Sequence, residues 1–275
     1  MQQRIVQRCR GGRVGDGLME RLGKNQGRYH GETIDIDKVQ REIRAAAELH
    51  GWRSEIFYKS IGAELCGYHR TSRSARQNVY LSSGIHGDEP AGPLAILELL
   101  RSNEWPEANL WLVPCVNPNG FRLNTRENAE GVDLNRDYRH QNSTEVRAQV
   151  EWLKRQPDFD LTLILHEDWE SNGFYVYELN PNYRRSLAED IVEAVRAVCP
   201  IETAELVDNW ECRAGIIRPQ VDPTERPQWA ESVWLIVNKT AQSYTLETPS
   251  DFSLESRVRA HLAAVRGALG SFLRE

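Results

Sequence analysis

A chain of 275 residues, 40% of them hydrophobic, holds enough apolar material to bury one large core. Its formal net charge of -6 gives no general attraction to nucleic acid or to an anionic membrane, so neither is expected as a partner. No run of 18 apolar residues offers a membrane span, the start lacks the apolar stretch of a secretion signal, and the five cysteines include no C-x-x-C pair; a cytoplasmic protein with reduced thiols is expected.

Residues 1–30 are polar and glycine-rich and read as a lead-in, with a single domain over 31–275. Apolar residues at helical spacing (Ile36, Val39, Ile43, Ala46, Ala47) predict a helix from Ile36 to His50, stopped by Gly51. Strands are predicted over 55–59, 63–69 and 78–83, then a helix over 92–101 and a strand over 109–116. A helix over 144–154, strands over 160–165 and 174–179, and a helix over 184–198 follow. Residues 209–228, with Pro219, Pro223 and Pro227, lack periodicity and read as a long surface loop. Strands over 233–237 and 243–246, and a final helix capped by Ser253 and running to Leu273, complete the chain.

Strands and helices that alternate in this way predict the α/β class, because parallel strands need crossover connections. The expectation is a three-layer α/β/α domain around a mixed, mostly parallel twisted sheet of about eight strands. Sites in such sheets gather at the carboxyl ends of the strands.

Three groups of ionisable residues fall at predicted strand ends. His86 and Glu89, in Gly84-Ile-His-Gly-Asp-Glu89, follow the strand 78–83. His166 ends the apolar run Leu161-Thr-Leu-Ile-Leu165, and Glu247 follows Thr245-Leu246 just before Pro249. Imidazole and carboxylate suit zinc at a catalytic site, and a further carboxylate can serve as general base. An H-x-x-E pair alone is common by chance; the ordered set carries the argument. Between the first two groups lie Asn117-Pro-Asn-Gly120, Arg126 and Asp133-Leu-Asn-Arg136, where paired arginines with nearby amides suit a carboxylate or oxyanion.

In this order, H-x-x-E, N-P-x-G, R, D-x-N-R, a lone His and a strand-end Glu, the motifs resemble the zinc carboxypeptidases, also called funnelins, over roughly residues 83–251. The resemblance implies one zinc ion per chain on His86, Glu89 and His166, with Asp133 orienting His86. It implies Arg126 as the donor to the oxyanion, with Arg122 the nearby alternative, and Asn135 and Arg136 as the grip on a substrate carboxylate. Glu247 becomes the base that takes a proton from zinc-bound water.

The chain departs from the digestive members of that family. Asp88 stands between the ligands where they have an arginine, which hints at a site tolerating a cationic group. The stretch 209–229 lacks their substrate-clamping tyrosine, leaving Tyr175, Tyr177, Tyr244 or no tyrosine in that role. The segments G-I-H-G-D-E and T-L-E-T-P look closer to bacterial intracellular relatives such as murein tripeptide amidases. The leading expectation is a zinc-dependent metallocarboxypeptidase acting on a peptide. An N-acyl amino acid deacylase of the succinylglutamate desuccinylase and aspartoacylase type is the alternative, and a non-catalytic zinc-binding interaction protein is a third reading. Either enzyme would take a substrate with a free carboxylate.

Overall fold

The computed structural model describes residues 20–27, 29–220 and 222–274; most of the lead-in, through residue 19, lies outside the described residues. Helix α1 (Ile36–Leu49) buries the five apolar residues that predicted it. It starts at Asp35, whose carboxylate accepts the Lys38 N–H at 2.9 Å, and it is closed by Gly51 at φ +71°.

The strands β1 (Arg53–Ser60), β2 (Ala63–Arg70), β3 (Asn78–Ser83), β4 (Asn109–Val113), β5 (Leu161–Asp168), β6 (Tyr175–Leu179), β7 (Leu206–Val207), β8 (Trp210–Arg213), β9 (Ile216–Ile217) and β10 (Ser243–Pro249) form one mixed sheet. Their spatial order is β1-β2-β4-β3-β5-β10-β6-β9-β8-β7. The centre, β4-β3-β5-β10, is parallel, and antiparallel pairs dominate both flanks.

The period of two along the strands divides the core between the faces. Val79 and Leu81 of β3 join a cluster with α1, α2 (Ala91–Ser102), α5 (Ala188–Arg196) and α7 (Leu254–Phe272). Tyr80 between them faces the opposite cluster, built with α4 (Thr144–Arg155) and α6 (Glu231–Asn238), where Trp152 is fully buried. Helices on both faces of the sheet give the three layers.

Four expectations need correction. The sheet has ten strands rather than about eight: β7 was not expected, the segment read as a loop over 209–228 contributes β8 and β9, and 233–237 contributes none. Strands of four and two residues hold too little alternation to be seen as a pattern. Residues 233–237 lie in helix α6, not a strand: Val233, Trp234, Leu235 and Ile236 are all buried, and a short continuous apolar run cannot tell strand from buried helix. Helix α5 starts at Ala188 rather than 184, since Arg184 N donates to the Asn180 side chain in a turn. Among the described residues, no helix is long and apolar enough to cross a membrane.

Candidate metal centre

The turn after β3 is held from the N-P-N-G stretch. Gly84, at φ +64°, accepts the N–H groups of Val116 and Asn117 at 3.1 and 2.8 Å. Asn117 caps the short helix α3 (Pro118–Leu123) by accepting from Gly120 N, and its amide donates to Ile85 O at 3.1 Å. The turn also lies against α3 so closely that a Cβ on Gly87 would meet Gly120 C at 1.9 Å. Only glycine fits there, and the fit fixes where His86 points.

His166, Glu247 and Tyr175 stand side by side across three strands. The parallel register of β10 and β5 pairs Glu247 with His166, and the antiparallel register of β10 and β6 pairs Glu247 with Tyr175. Residues directly opposite share a face of the sheet. The site thus occupies the carboxyl ends of β3, β5 and β10, as the fold class implies.

His86, Glu89 and His166, all buried, bring one ligating atom each to within 4.8 Å of one another. Glu89 Oε1 lies 2.5 Å from His86 Nδ1, and its Oε2 lies 2.9 Å from His166 Nδ1. The other ring nitrogen of His86, Nε2, lies 3.3 Å from Asp133 Oδ1. A carboxylate on the far nitrogen fixes the tautomer and turns Nδ1 toward the cluster, the arrangement typical of a metal-bound histidine. Two imidazoles and one carboxylate, buried and convergent, fit zinc with a position left open.

The charges are strongly perturbed. Burial would raise the pKa of Glu89, but His86 and His166 outweigh it and hold the carboxyl far below its ordinary range. Against the lowering effect of burial, Glu89 and Asp133 keep His86 above the usual imidazole value. Burial, with the charges of Glu89, Asp168 and Asp208 against the pull of His166, pushes Glu247 up to about 8. Asp88 is pushed up to about 6 by burial and by Glu89, and its Oδ1 has no hydrogen-bond partner among the described residues.

The two arginines compared in the sequence part company. Arg126 lies at the cluster, with Nε donating to Asp133 Oδ2 at 2.9 Å and Nη1 3.8 Å from Glu89 Oε1. Arg122 faces away, tied to Asp37, Asn119 and the carbonyl of Gly62. Arg136 is exposed and forms no ion pair among the described residues; its Nη1 donates to Asn135 O. Asn135 is buried, with Oδ1 accepting Glu231 N at 2.9 Å and Nδ2 3.5 Å from His166 Nε2.

Of the three tyrosines, Tyr244 is engaged behind the site with Leu187 N, Glu178 and Gln242. Tyr175 and Tyr177 face Glu247, their hydroxyls donating to Asp168 at 3.1 Å and Asp208 at 3.0 Å. Asp208 is a neighbour that sequence reasoning missed. It lies in the turn between β7 and β8, and no strand was visible in that segment to carry it to the site.

Known proteins share part of this sequence and this fold. Residues 75–199, less than half of the chain, match the family model of the Succinylglutamate desuccinylase/Aspartoacylase catalytic domain. Over 104 residues the chain is 32% identical to murein peptide amidase A of Escherichia coli (strain K12), an alignment that covers 38% of this chain and 43% of that protein. The chain therefore matches less than half the length of this curated relative. Among solved structures, a candidate metallopeptidase from Shewanella amazonensis SB2B superposes with a TM-score of 0.75 at 24% identity, covering 86% of this chain and 93% of that one. The metallo-carboxypeptidase from Pseudomonas aeruginosa, solved in complex with (2-guanidinoethylmercapto)succinic acid, superposes with a TM-score of 0.65 at 20% identity, covering 89% and 70%.

Proposed function

We propose that this chain, which has a zinc carboxypeptidase-like fold, is a zinc metallohydrolase that cuts an amide bond of a peptide bearing a free carboxylate. One zinc ion per chain would be held by His86, Glu89 and His166. The observation that carries the reading is the position of Glu247, in register beside His166 and with a side chain that makes no hydrogen bond or ion pair among the described residues. A zinc site that served only to bind a partner would have no use for a free carboxylate there.

When bound, zinc would polarise the scissile carbonyl and make the attacking water more acidic. Glu247, once ionised, accepts that water's proton and returns it to the leaving nitrogen, so no covalent acyl-enzyme is needed. Arg126, held by Asp133, sets a positive charge beside the cluster where an oxyanion develops. Arg136, in no ion pair among the described residues and with Nη1 donating to Asn135 O, offers the rest of its guanidinium to the substrate carboxylate. Asn135, its amide oxygen engaged by Glu231, adds at most its Nδ2 to that grip.

The name of the Escherichia coli relative directs the substrate proposal to small murein-derived peptides. A second reading, an N-acyl amino acid deacylase using the same residues, is favoured by the family match over 75–199. Incubating the zinc-loaded protein with a library of peptides of varied C-termini, beside acetylated and succinylated amino acids, decides between them. Release of a C-terminal residue or peptide supports the first, release of acetate or succinate the second, and no turnover of either set removes both. A cytoplasmic location is part of the proposal, supported by four described cysteines that are free and buried.

A further inference from the structure

Behind the catalytic edge, one guanidinium joins three parts of the chain. Arg257 of α7 is 0% exposed. Its Nε donates to Phe252 O at 3.1 Å, its Nη1 to Glu167 and its Nη2 to Glu32. Glu167 is equally buried and follows His166 on β5.

The second oxygen of Glu167 accepts the N–H of Ala91 at 2.6 Å. Ala91 is the first residue of α2, two positions after Glu89, and the residue before it, Pro90, has no side-chain oxygen to cap the helix. Glu167 therefore supplies the acceptor that Pro90 lacks, and its negative charge suits a helix N-terminus. One carboxylate thus locks the strand end that carries His166 to the helix start that carries Glu89.

Glu32 comes from the segment before α1, which is strapped across the same edge. The carboxylate of Asp251, four residues beyond Glu247, accepts the backbone N–H groups of Gly23, Lys24 and Asn25 at 3.2, 2.7 and 3.3 Å, and the Nε of Arg21 at 3.1 Å. Asn25 Nδ2 donates to Trp169 O at 3.3 Å, and Lys24 Nζ lies 2.6 Å from Glu32. The strap is anchored at Asp251, four residues beyond Glu247, and again at Arg257, which also holds Glu167 beside His166.

We infer that Arg257, held by Glu32 of this strap, is a positioning residue for the metal site: it fixes Glu167, which sets His166 and Glu89 relative to each other. The inference rests on the zinc reading of the cluster. Its chemistry needs a fork that reaches two carboxylates at once, which guanidinium has and ammonium lacks. Removing either carboxylate loosens the link while leaving the ligands themselves in place.

The test uses the full chain and the variants Glu32→Gln, Glu167→Gln and Arg257→Lys. Zinc dissociation constants come from chelator competition, the visible spectrum of the cobalt-substituted protein reports ligand geometry, and melting of the metal-free protein reports the fold. Zinc affinity about tenfold weaker in Glu167→Gln, a smaller loss in the partly exposed Glu32→Gln, and an altered cobalt spectrum in both are expected. Arg257→Lys should fall between wild type and Glu167→Gln. If the variants melt lower yet keep wild-type zinc affinity and cobalt spectrum, the network is structural only and the inference is overturned. If the wild-type protein binds no zinc, the reading of the cluster itself fails, a result distinct from failure of the link.

Discussion

Glu247 and His166 are direct neighbours across the parallel pair β10 and β5. That register puts a candidate base and a candidate metal ligand on one face of the sheet, one strand apart. A slip of one residue would turn Glu247 to the other face, so the site depends on the pairing as much as on the residues.

Their roles separate on substitution. Glu247→Gln should lower kcat by at least about a hundredfold, the low end of what a general base contributes, while zinc content stays at one per chain. His166→Ala should lose the metal. Metal analysis beside turnover checks both, and a Glu247→Gln protein that keeps wild-type kcat would remove that residue from the chemistry.

The acidic surroundings of Glu247 set where activity falls at low pH. As the proposed base, Glu247 must be ionised to act, and the charge of Asp168 raises its pKa. Asp168→Asn removes a like charge, so the carboxyl ionises at lower pH and the acidic limb of the kcat/KM profile should move down, by up to about one unit. An unmoved or upward-shifted limb would contradict this placement of charge.

Gly87 is required by contact rather than by turn geometry alone. A Cβ there meets the backbone of Gly120 at 1.9 Å, and overpacking of this kind costs about 1–3 kcal/mol. Gly87→Ala should lower the melting temperature and weaken zinc binding together, since the turn that carries His86 has to move. Wild-type values for both would show that the α3 contact yields freely.

His261 makes the metal-free protein sensitive to acid. It is fully buried on α7 beside Thr248 Oγ1, and burial pushes its pKa down to about 3 from an ordinary 6.5. The unfolded chain then binds a proton below pH 6.5 that the folded chain refuses, so stability falls as pH drops from there toward 3. The slope is about 1.4 kcal/mol per pH unit for this one group. Urea unfolding of the metal-free protein at pH 7 and pH 5 should show a smaller acid loss for His261→Gln than for wild type; equal losses would argue against a buried neutral imidazole.

That His86, Glu89, His166 and Glu247 come together was legible because apolar strand runs break abruptly into these ionisable residues, a pattern visible without any contact information. Helix α1 was legible for the same reason, its five apolar residues all facing inward at one period. Helix α6 was not, since a run buried on every side carries no period, and neither were β7 to β9, too short to show one. The network of Glu32, Glu167 and Arg257 joins residues up to 225 positions apart, and nothing local in the sequence signals such a contact. The pairing of Tyr175 with Asp168 and of Tyr177 with Asp208 is of the same kind.

Anomalous diffraction at the zinc edge from zinc-loaded crystals tests the account most directly. One peak per chain is expected, bonded by His86 Nδ1, Glu89 and His166 Nδ1, with Asp133 remaining on the far nitrogen of His86 and Glu247 beside the ion but not bound to it. A peak on other residues, or none where these three converge, would contradict it.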